Sequence, residues 1–448
     1  MAFGLRSRIL RTIVAAAALL LVGGALFNFS AVSKKSSDSR ASRSTTHQER
    51  LFAKGKRIFR FATFGDQDYW GGQLQLHKAI EGEENGGVGP GVSPKTALAV
   101  GLKVDSQALP RAIVNALKKG EIDLNDPKTT LALLKLNSVV GVKGFFNRRG
   151  TLRSVGITCA FCHSTVNNSL APGIGKRLDG WPNQDLNVGQ IVSLAPNLKP
   201  ITDDLGVDEA TLKNVLLSWG PGFYDAEVNI DGKAFRPDGK SAATRIPAAY
   251  GHLGENLHTW TGGFGDVAYW NAYVANLQMH GNGNFNDSRL NDPGKYPVAA
   301  RNGKFRVRHK PDQVTPKLGP LHYYQLALPA PKPPRSSYNH AAAARGKRVF
   351  TGQGRCADCH MPPLYTDAGY NAHKPAEICT DSFQADRGPD GTYVTPQLKG
   401  LWARSKRGFY HDGRHPTLGA VINHYNSCFG LNLSDRQKSD LVQYLKSL

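Results

Sequence analysis

The sequence predicts a mainly α-helical protein in which one helical unit is used twice, unequally. Three landmarks recur in the same order along its 448 residues. They are a basic helix start (54–59 and 345–350), the pentapeptide Cys-x-x-Cys-His (159–163 and 356–360) and a closing helix (321–328 and 441–448). A weaker echo links 247–263 with 396–414. Repetition in a fixed order indicates internal duplication.

Each pentapeptide predicts covalently bound haem. Cys-x-x-Cys-His is the attachment motif of c-type haem, in which both thiols form thioethers and the histidine binds the iron. A zinc half-site or a redox dithiol would not require the histidine. We therefore expect two haem c groups and two cytochrome-c-like domains. The predicted attachment residues are Cys159, Cys162, Cys356 and Cys359, and the predicted proximal ligands are His163 and His360.

Residues 1–31 have the pattern of an export signal or an N-terminal membrane anchor. Arg6, Arg8 and Arg11 precede an apolar run from 13 to 27, as in secretory signals; a buried core helix is the alternative. The arginines would keep this end cytoplasmic. We expect the rest of the chain to be periplasmic or extracellular, either free or anchored to the membrane. The Ser-rich stretch 32–48 is typical of a flexible tether.

The remaining chain divides at a Pro-rich linker, 329–339. The first haem unit is predicted at 49–328, with a large helical insertion at about 60–155, and the C-terminal cytochrome c domain at 340–448. Apolar spacing predicts helices at 110–119 and 129–136, whereas the Gly-rich stretch 84–92 indicates a loop. The last helix should begin near Ser434 and Asp435, either of which can cap it.

The chain is strongly basic, with a net charge of +21. The first 60 residues hold 12 Lys and Arg against 2 Asp and Glu, so part of this charge belongs to the N-terminal segment. The rest is either an ordinary solvated surface or a docking surface for an acidic redox partner or an anionic membrane. The sequence contains no nucleic-acid-binding motif, so no nucleic acid is expected as a partner.

Two cysteines, Cys379 and Cys428, lie outside the pentapeptides. In an oxidising compartment a spare pair favours a disulfide. Two unpaired buried thiols are the alternative.

The sixth ligand of each iron separates an electron carrier from a catalyst, because an open position can bind peroxide or dioxygen. Between His163 and Gly251 the chain has no His and no Met. This favours an open or water-filled position at the first haem. The alternative is a ligand from a short list: His77, His252, His258, Met279 and His280. At the second haem the best candidates are His424 and Tyr425, unless both simply pack beside it.

The C-terminal unit resembles a known family. The stretches Thr395-Pro-Gln-Leu-Lys-Gly-Leu401, Gly408-Phe-Tyr-His-Asp-Gly-Arg414 and His424-Tyr-Asn426 look like the C-terminal domain of the bacterial dihaem cytochrome c peroxidase superfamily. That superfamily includes the enzyme that matures tryptophan tryptophylquinone and the dihaem rubber oxygenases. The resemblance covers 340–448 well and 155–328 more loosely. Phe64-Gly-Asp66 and the insertion are closer to the rubber-oxygenase branch.

The resemblance implies roles for several residues. Trp260 matches the tryptophan that relays electrons between the haems, although a core aromatic is the ordinary alternative. Tyr425, with His424 beside it, falls where the family places the second haem's distal ligand. The family's distal acid would fall near His280, where Gln278 and Asn276 are the other polar candidates. Whether calcium lies between the domains is left open.

The sequence therefore predicts an exported dihaem oxidoreductase of peroxidase or oxygenase type. Peroxide or dioxygen would react at the first haem, with Trp260, Gln278 and His280 as catalytic candidates, and the second haem would store or relay electrons. The alternatives are oxidative cleavage of a hydrocarbon, as in rubber oxygenases, a pure electron-transfer cytochrome, or a subunit of a larger membrane complex.

Overall fold

The computed structural model describes residues 47–448, and in them helices greatly outnumber strands, as the sequence predicts. The α-helices are α1 (His47–Phe61), α2 (Leu76–Glu81), α3 (Pro94–Ala99), α4 (Arg111–Lys118), α5 (Pro127–Lys135), α6 (Ala160–His163), α7 (Val188–Ser193), α8 (Lys199–Leu205), α9 (Glu209–Trp219), α10 (Val228–Asp231), α11 (Val267–Tyr273), α12 (Pro297–Arg301), α13 (Thr315–Leu326), α14 (His340–Thr351), α15 (Phe383–Arg387), α16 (Leu418–Cys428) and α17 (Asp435–Lys446).

Shorter helical turns connect these elements. Two are π-helical, Asp68–Gln73 and Val274–Gln278. The 3₁₀ turns are Glu83–Asn85, Ser106–Ala108, Ser288–Leu290, Arg335–Ser337, Cys356–Asp358, Pro375–Ile378 and Leu401–Arg404.

The strands form two-stranded pairs. They are β1 (Val104–Asp105), β2 (Val142–Phe146), β3 (Leu152–Ile157), β4 (Ser164–Val166), β5 (Ile174–Gly175), β6 (Arg177–Asp179), β7 (Phe223–Tyr224), β8 (Thr244–Arg245), β9 (Phe285–Asn286) and β10 (Arg306–Val307). The pair β1–β5 is parallel, and β2–β3, β4–β6, β7–β8 and β9–β10 are antiparallel. The hairpin β2–β3 leads directly into the first pentapeptide.

The same crossing of two helices occurs twice. Helix α1 packs on α13, and α14 packs on α17. Each crossing is closest at a glycine: a Cβ at Gly55 would collide with Pro320 and Tyr324, and a Cβ at Gly346 would collide with Asp440 and Tyr444. These glycines occupy the same place in the two basic helix starts, so the repeated sequence has a repeated packing role.

Aromatic contacts repeat at the same crossings. The rings of Phe59 and Tyr324 lie 5.5 Å apart, and those of Phe350 and Tyr444 lie 5.1 Å apart. Both phenylalanines are fully buried. Aromatic pairs at such distances add about 0.5–1.5 kcal/mol to the burial of their surface. The aromatic residue after each basic helix start therefore anchors the crossing.

Several predicted elements are confirmed. The insertion contains α4 and α5 where the apolar spacing predicts helices. Helix α17 begins with Ser434 as its N-cap, in a capping box with Gln437. The strands β2 and β3 within the insertion were not predicted, because their Gly and Lys residues hide the alternation of a surface hairpin.

The predicted signal or anchor (1–31) and nearly all of the predicted tether (32–48) lie outside the described residues, and α1 already begins at His47. Among residues 47–448, no helix is both long and apolar enough to traverse a bilayer. These residues group as one unit by their contacts. The proposed linker at 329–339 and the boundaries beside it stay predictions.

Cys379 and Cys428 form a disulfide, with their Cα atoms 6.0 Å apart. The bond ties the turn Pro375–Ile378 to the end of α16. It closes a loop with a sequence separation of 49 residues. A link across such a loop restricts the unfolded chain and so stabilises the fold.

We expect the double variant Cys379→Ser/Cys428→Ser to lose about 4 kcal/mol of unfolding free energy, the loop-entropy value for a loop of this length. Guanidinium unfolding followed by far-UV circular dichroism would measure the loss. A thiol reductant should destabilise the wild type by a similar amount and leave the double variant unchanged. Equal stability of the two proteins would contradict the prediction.

Candidate haem sites

The first pentapeptide lies on a single helical turn that follows β3. Within α6, His163 Nδ1 lies 3.0 Å from the carbonyl oxygen of Pro247. A carbonyl can only accept, so Nδ1 donates its proton and Nε2 keeps its lone pair. Burial lowers the pKa of His163 to about 4, although the bond to Pro247 opposes this. The imidazole is therefore neutral, with Nε2 prepared as a metal ligand, since the bond made by one ring nitrogen fixes the role of the other.

A large apolar cavity opens beside this turn. The cavity has a volume of about 250 Å³, whereas a single buried water needs only about 10–15 Å³. Its walls carry mostly Leu, Val, Ile and Trp side chains, together with Cys159, Cys162 and His163. Protein interiors normally close such spaces. A large, flat, mainly apolar group attached to the two thiols fits these walls.

The cavity also brings in the predicted residue His280. Its ring stacks on Tyr69 at 3.7 Å between centroids, and its backbone has a φ of +59°, which is uncommon for a residue other than glycine. Burial lowers the pKa of His280 to about 3. A neutral imidazole therefore shares the cavity with His163. Met279 lines it too, whereas His77, His252 and His258 are not among the lining residues.

Gln278 lines the cavity, but its amide is fully engaged. Nε2 donates to the carbonyl oxygen of Ala226 at 2.5 Å and to the Tyr273 hydroxyl at 3.0 Å, and Oε1 accepts from the Tyr224 hydroxyl at 2.5 Å. This geometry suits an orienting role better than direct proton transfer. Asn276 donates to the Ala272 carbonyl and is not among the lining residues.

A carboxyl group that the sequence analysis missed lies in the cavity wall. Glu227 is 5% exposed and lines the cavity, and its Oε2 atom has no hydrogen-bond partner. Burial raises the pKa of Glu227 to about 7; Arg387 opposes the rise and Asp225 adds to it. Glu227 is distant in sequence from the first pentapeptide, and only the fold brings it into the wall of this cavity.

The charges around Glu227 explain why it can keep a proton. Arg387 pairs with Asp231 at 2.7 Å and with Asp225 at 2.8 Å, and all three side chains are fully buried. Among the described residues, the carboxyl groups of Asp225, Glu227 and Asp231 thus lie near a single guanidinium, that of Arg387. Because an unpaired buried carboxylate is costly, one of the three is best left protonated. Glu227 makes no ion pair with Arg387, so it is the natural holder of that proton.

The second pentapeptide builds a similar site. His360 Nδ1 lies 3.1 Å from the Tyr365 carbonyl oxygen, which leaves Nε2 unprotonated, and burial lowers the pKa of His360 to about 4. The adjoining cavity has a volume of about 200 Å³, and Cys356 and Cys359 lie in its wall. Its lining is again mostly apolar, so the same kind of group fits here.

The structure separates the two candidates for the second distal ligand. Tyr425 lines the second cavity, whereas His424 does not. The Nε2 atom of His424 instead lies 3.3 Å from the Ile378 carbonyl oxygen. Burial raises the pKa of Tyr425, so its phenol is neutral. Tyr410 and His411 also line this cavity.

One short wall belongs to both cavities. Arg245, Ile246, Pro247 and Trp260 line each of them. Trp260 Nε1 donates to the Arg245 carbonyl at 3.1 Å, and the Trp260 carbonyl accepts from the Val394 amide at 3.0 Å. The indole is therefore fixed in the wall that the two cavities share.

Two buried guanidinium groups near this wall have no acidic partner among the described residues. Arg245 and Arg404 donate to backbone carbonyl oxygens, and the Nε atom of each is unpartnered. Burial lowers the pKa of Arg245 to about 9, and repulsion from Arg404 adds to this. Buried cations need an anion nearby. The propionate carboxylates of haem would supply such anions, so these residues fit the predicted cofactor.

The thiols lie in apolar surroundings. Burial raises the pKa values of Cys159, Cys162 and Cys356 to about 12 and that of Cys359 to about 11. A thioether is neutral and suits such an apolar wall. Among the described residues, Cys359 alone of the four lies in a group of three close donors, with Asp367 and His373.

Comparisons with known proteins add only distant likenesses. No family model matches the chain, and no curated protein matches it. Its structure is similar to that of Kuenenia stuttgartiensis hydrazine synthase under xenon pressure, with 16% identity and a TM-score of 0.31 over 48% of this chain and 76% of that one. A MauG-like protein associated with microbial copper homeostasis also gives 16% identity and a TM-score of 0.31, over 49% and 77% of the two chains. Similarity this low carries no functional argument, so the assignment depends on the two cavities.

We expect the double variant Cys159→Ser/Cys162→Ser to carry one covalent haem and the wild type to carry two, since each thiol pair holds its own group. The absorbance of the alkaline pyridine complex, divided by protein concentration, measures this ratio. Cys356→Ser/Cys359→Ser should also carry one. The control Cys379→Ser/Cys428→Ser, which removes the disulfide, should keep two. A wild-type protein without covalent haem would overturn the assignment.

Glu227 should make stability depend on pH. Its pKa is near 4.5 in the unfolded chain and about 7 when folded. Between these values the unfolded chain releases a proton that the fold retains, so stability falls as pH rises, by about 3 kcal/mol in total. Glu227→Gln should therefore gain stability relative to the wild type between pH 5 and pH 8, as measured by denaturant unfolding. The exposed substitution Glu209→Gln should show no such trend, and parallel curves for all three proteins would exclude the shift.

Proposed function

We propose that this chain is an exported haem-dependent oxidoreductase that carries two covalent haem c groups and reacts with peroxide or dioxygen in the first cavity. The observation that carries the proposal is the difference between the cavities. The first contains Glu227, a buried carboxyl that can hold a proton, whereas each cavity contains a further neutral imidazole, His280 in the first and His411 in the second. The second contains Tyr425 and no Glu or Asp among its lining residues.

Haem, when bound, would supply the redox-active iron. The chain's own residues would do the rest. His163 and His360 would bind the iron through Nε2, and the carbonyl oxygens of Pro247 and Tyr365 hold the two rings in place. The apolar walls exclude bulk water. Trp260, which lines both cavities, would provide the route for electrons between them.

Proton supply is the task of Glu227. Reduction of hydrogen peroxide breaks its O–O bond and needs two electrons and two protons to form two water molecules. The electrons would come from an exported one-electron donor. A group with a pKa of about 7 both gives and accepts a proton readily near neutral pH, which is the condition for efficient general acid–base catalysis. Gln278 would orient the Tyr224 hydroxyl in the same cavity through their 2.5 Å hydrogen bond.

The apolar character of the first cavity favours a second candidate function. Residues such as Leu212, Val215 and Leu216 in its walls are buried and could receive a hydrocarbon chain. Oxidative cleavage of an unsaturated polymer by dioxygen, the reaction of rubber oxygenases, would use the same haem. Product analysis with polyisoprene, without added peroxide, distinguishes this activity from that of a peroxidase.

The proposed location outside the cytoplasm has two supports. Covalent haem attachment takes place on exported chains, and the Cys379–Cys428 disulfide suits an oxidising compartment. The basic composition suits an acidic redox partner. The proposal includes export by the N-terminal segment, which is either cleaved or kept as a membrane anchor.

We expect Glu227→Gln to slow peroxide turnover by roughly 10²- to 10⁴-fold, the usual contribution of a positioned acid–base group. Because protonated Glu227 is the proton donor, the wild-type rate should fall as the pH rises through about 7, and this alkaline limb should be absent in the variant. Stopped-flow absorbance with a reduced cytochrome donor would measure both effects. Glu209→Gln, on the exposed face of α9, should behave as the wild type.

Carbon monoxide separates the enzyme from an electron carrier. The ferrous wild-type protein should bind carbon monoxide at one of its two haems, and Glu227→Gln should bind it equally well, since the carboxyl is not an iron ligand. Difference spectra under anaerobic conditions give the stoichiometry. If neither haem binds carbon monoxide, both irons have two protein ligands and the catalytic proposal fails.

A further inference from the structure

Three donor side chains cluster outside both cavities, in the loop between Pro247 and Trp260. His252 Nδ1 lies 2.8 Å from Glu255 Oε2, and His258 Nδ1 lies 3.5 Å from the same oxygen. One donor atom from each residue lies within 4.8 Å of the others. The side chains are 16%, 7% and 5% exposed, in sequence order. The cluster is therefore a buried one, with the spacing His-x-x-Glu-x-x-His.

The hydrogen bonds of these residues leave several buried atoms without partners. Both ring nitrogens of His258 and the Oε1 atom of Glu255 make no hydrogen bond. A buried polar atom without a partner costs about 1–3 kcal/mol. Three such atoms in one cluster would be a considerable penalty if the side chains had only a packing role. A ligand that accepts electron pairs would satisfy Glu255 Oε1 and the unprotonated ring nitrogen of His258.

The protonation of His252 points to the same conclusion. Its Nε2 lies 3.0 Å from the Ala248 carbonyl oxygen and must donate to it. In the neutral ring Nδ1 then carries a lone pair, and that lone pair faces the carboxylate of Glu255. Two electron-rich atoms 2.8 Å apart repel each other. Either a proton lies between the two groups, carried by His252 or by Glu255, or a metal cation does.

The donor set selects the kind of cation. Two imidazole nitrogens and one carboxylate oxygen suit zinc and similar transition metals, whereas calcium and magnesium prefer oxygen donors. Two ligands of one zinc ion are at most about 4.2 Å apart at a bond length of about 2.1 Å. The donor atoms would therefore move by only a few tenths of an ångström.

We propose that His252, Glu255 and His258 bind one divalent transition-metal ion of the zinc type, separate from the two haems. The bond from His252 to Ala248 then acts as the outer support that fixes the ligand ring, as in known zinc sites. The ion would stabilise the loop whose first residue, Pro247, supports His163 and whose last residue, Trp260, separates the cavities. The site does not depend on the reaction proposed above.

The test uses the full-length holoprotein, treated with a chelator and then dialysed against Zn²⁺ at known free concentrations. Elemental analysis should give one zinc per chain. Glu255→Gln keeps the size of the side chain but removes its charge, and should weaken zinc binding by at least roughly 100-fold, since loss of an outer-shell partner alone costs 10- to 100-fold. His258→Ala should weaken it to a similar extent.

His309→Ala is the matched control, because His309 is exposed and its side chain lies outside the cluster. It should bind zinc as the wild type does. The haem absorption spectrum of each variant verifies that the fold is intact. A wild-type protein that binds no zinc at micromolar concentrations, or variants that bind it unchanged, would overturn the proposal and leave a proton between His252 and Glu255.

Discussion

The fold depends on two apolar cavities that its own side chains do not fill. Apolar walls of this size are stable only against a large apolar partner, because burial of such surface is the main source of folding free energy. The rest of the chain encloses these cavities. In each unit a helix pair crosses at a glycine, Gly55 in the first and Gly346 in the second. The hairpin β2–β3 leads Cys159 into the first cavity. In the proposed function the two thiol pairs and the two oriented histidines would meet the same requirement, since a covalently held group could not leave the cavity that it supports.

The wall shared by the cavities connects stability with function. Pro247 supports the ring of His163, Arg245 lies in both cavities, and Trp260 is held on one side by Arg245 and on the other by Val394. A displacement of this wall would change the proximal ligand of one site and the boundary of the other together. The loop that closes the wall contains His252 and its two neighbouring donors, so a metal ion there would restrain both sites at once.

Local patterns predicted the elements whose causes are local. The cap at Ser434 and the helices of the insertion each depend on residues close in sequence, and both are found where expected. Features that depend on tertiary packing could not be predicted from the sequence. His424 and Tyr425 are adjacent in α16, and the sequence did not decide which of them faces the second cavity. In the fold, Tyr425 lines that cavity. Glu227 gave no local signal at all, because its environment comes from α15 and α11, far away in the chain.

The balance of buried charge explains why a proton should be held at the first cavity and not at the second. Beside the second cavity, Asp381 and Asp412 are matched by Arg414 and Arg236. Although burial alone would raise it, hydrogen bonds from Arg414 hold the pKa of Asp412 down at about 2. Two carboxylates with two guanidinium groups stay ionised and have no proton to give. At the first cavity three carboxyl groups face Arg387 alone, and the excess acid must be neutralised by a proton, which Glu227 holds at a pKa of about 7. A reaction that consumes protons is therefore better served at the first cavity, whereas the second, with its fixed charges and neutral Tyr425, suits electron storage without proton exchange.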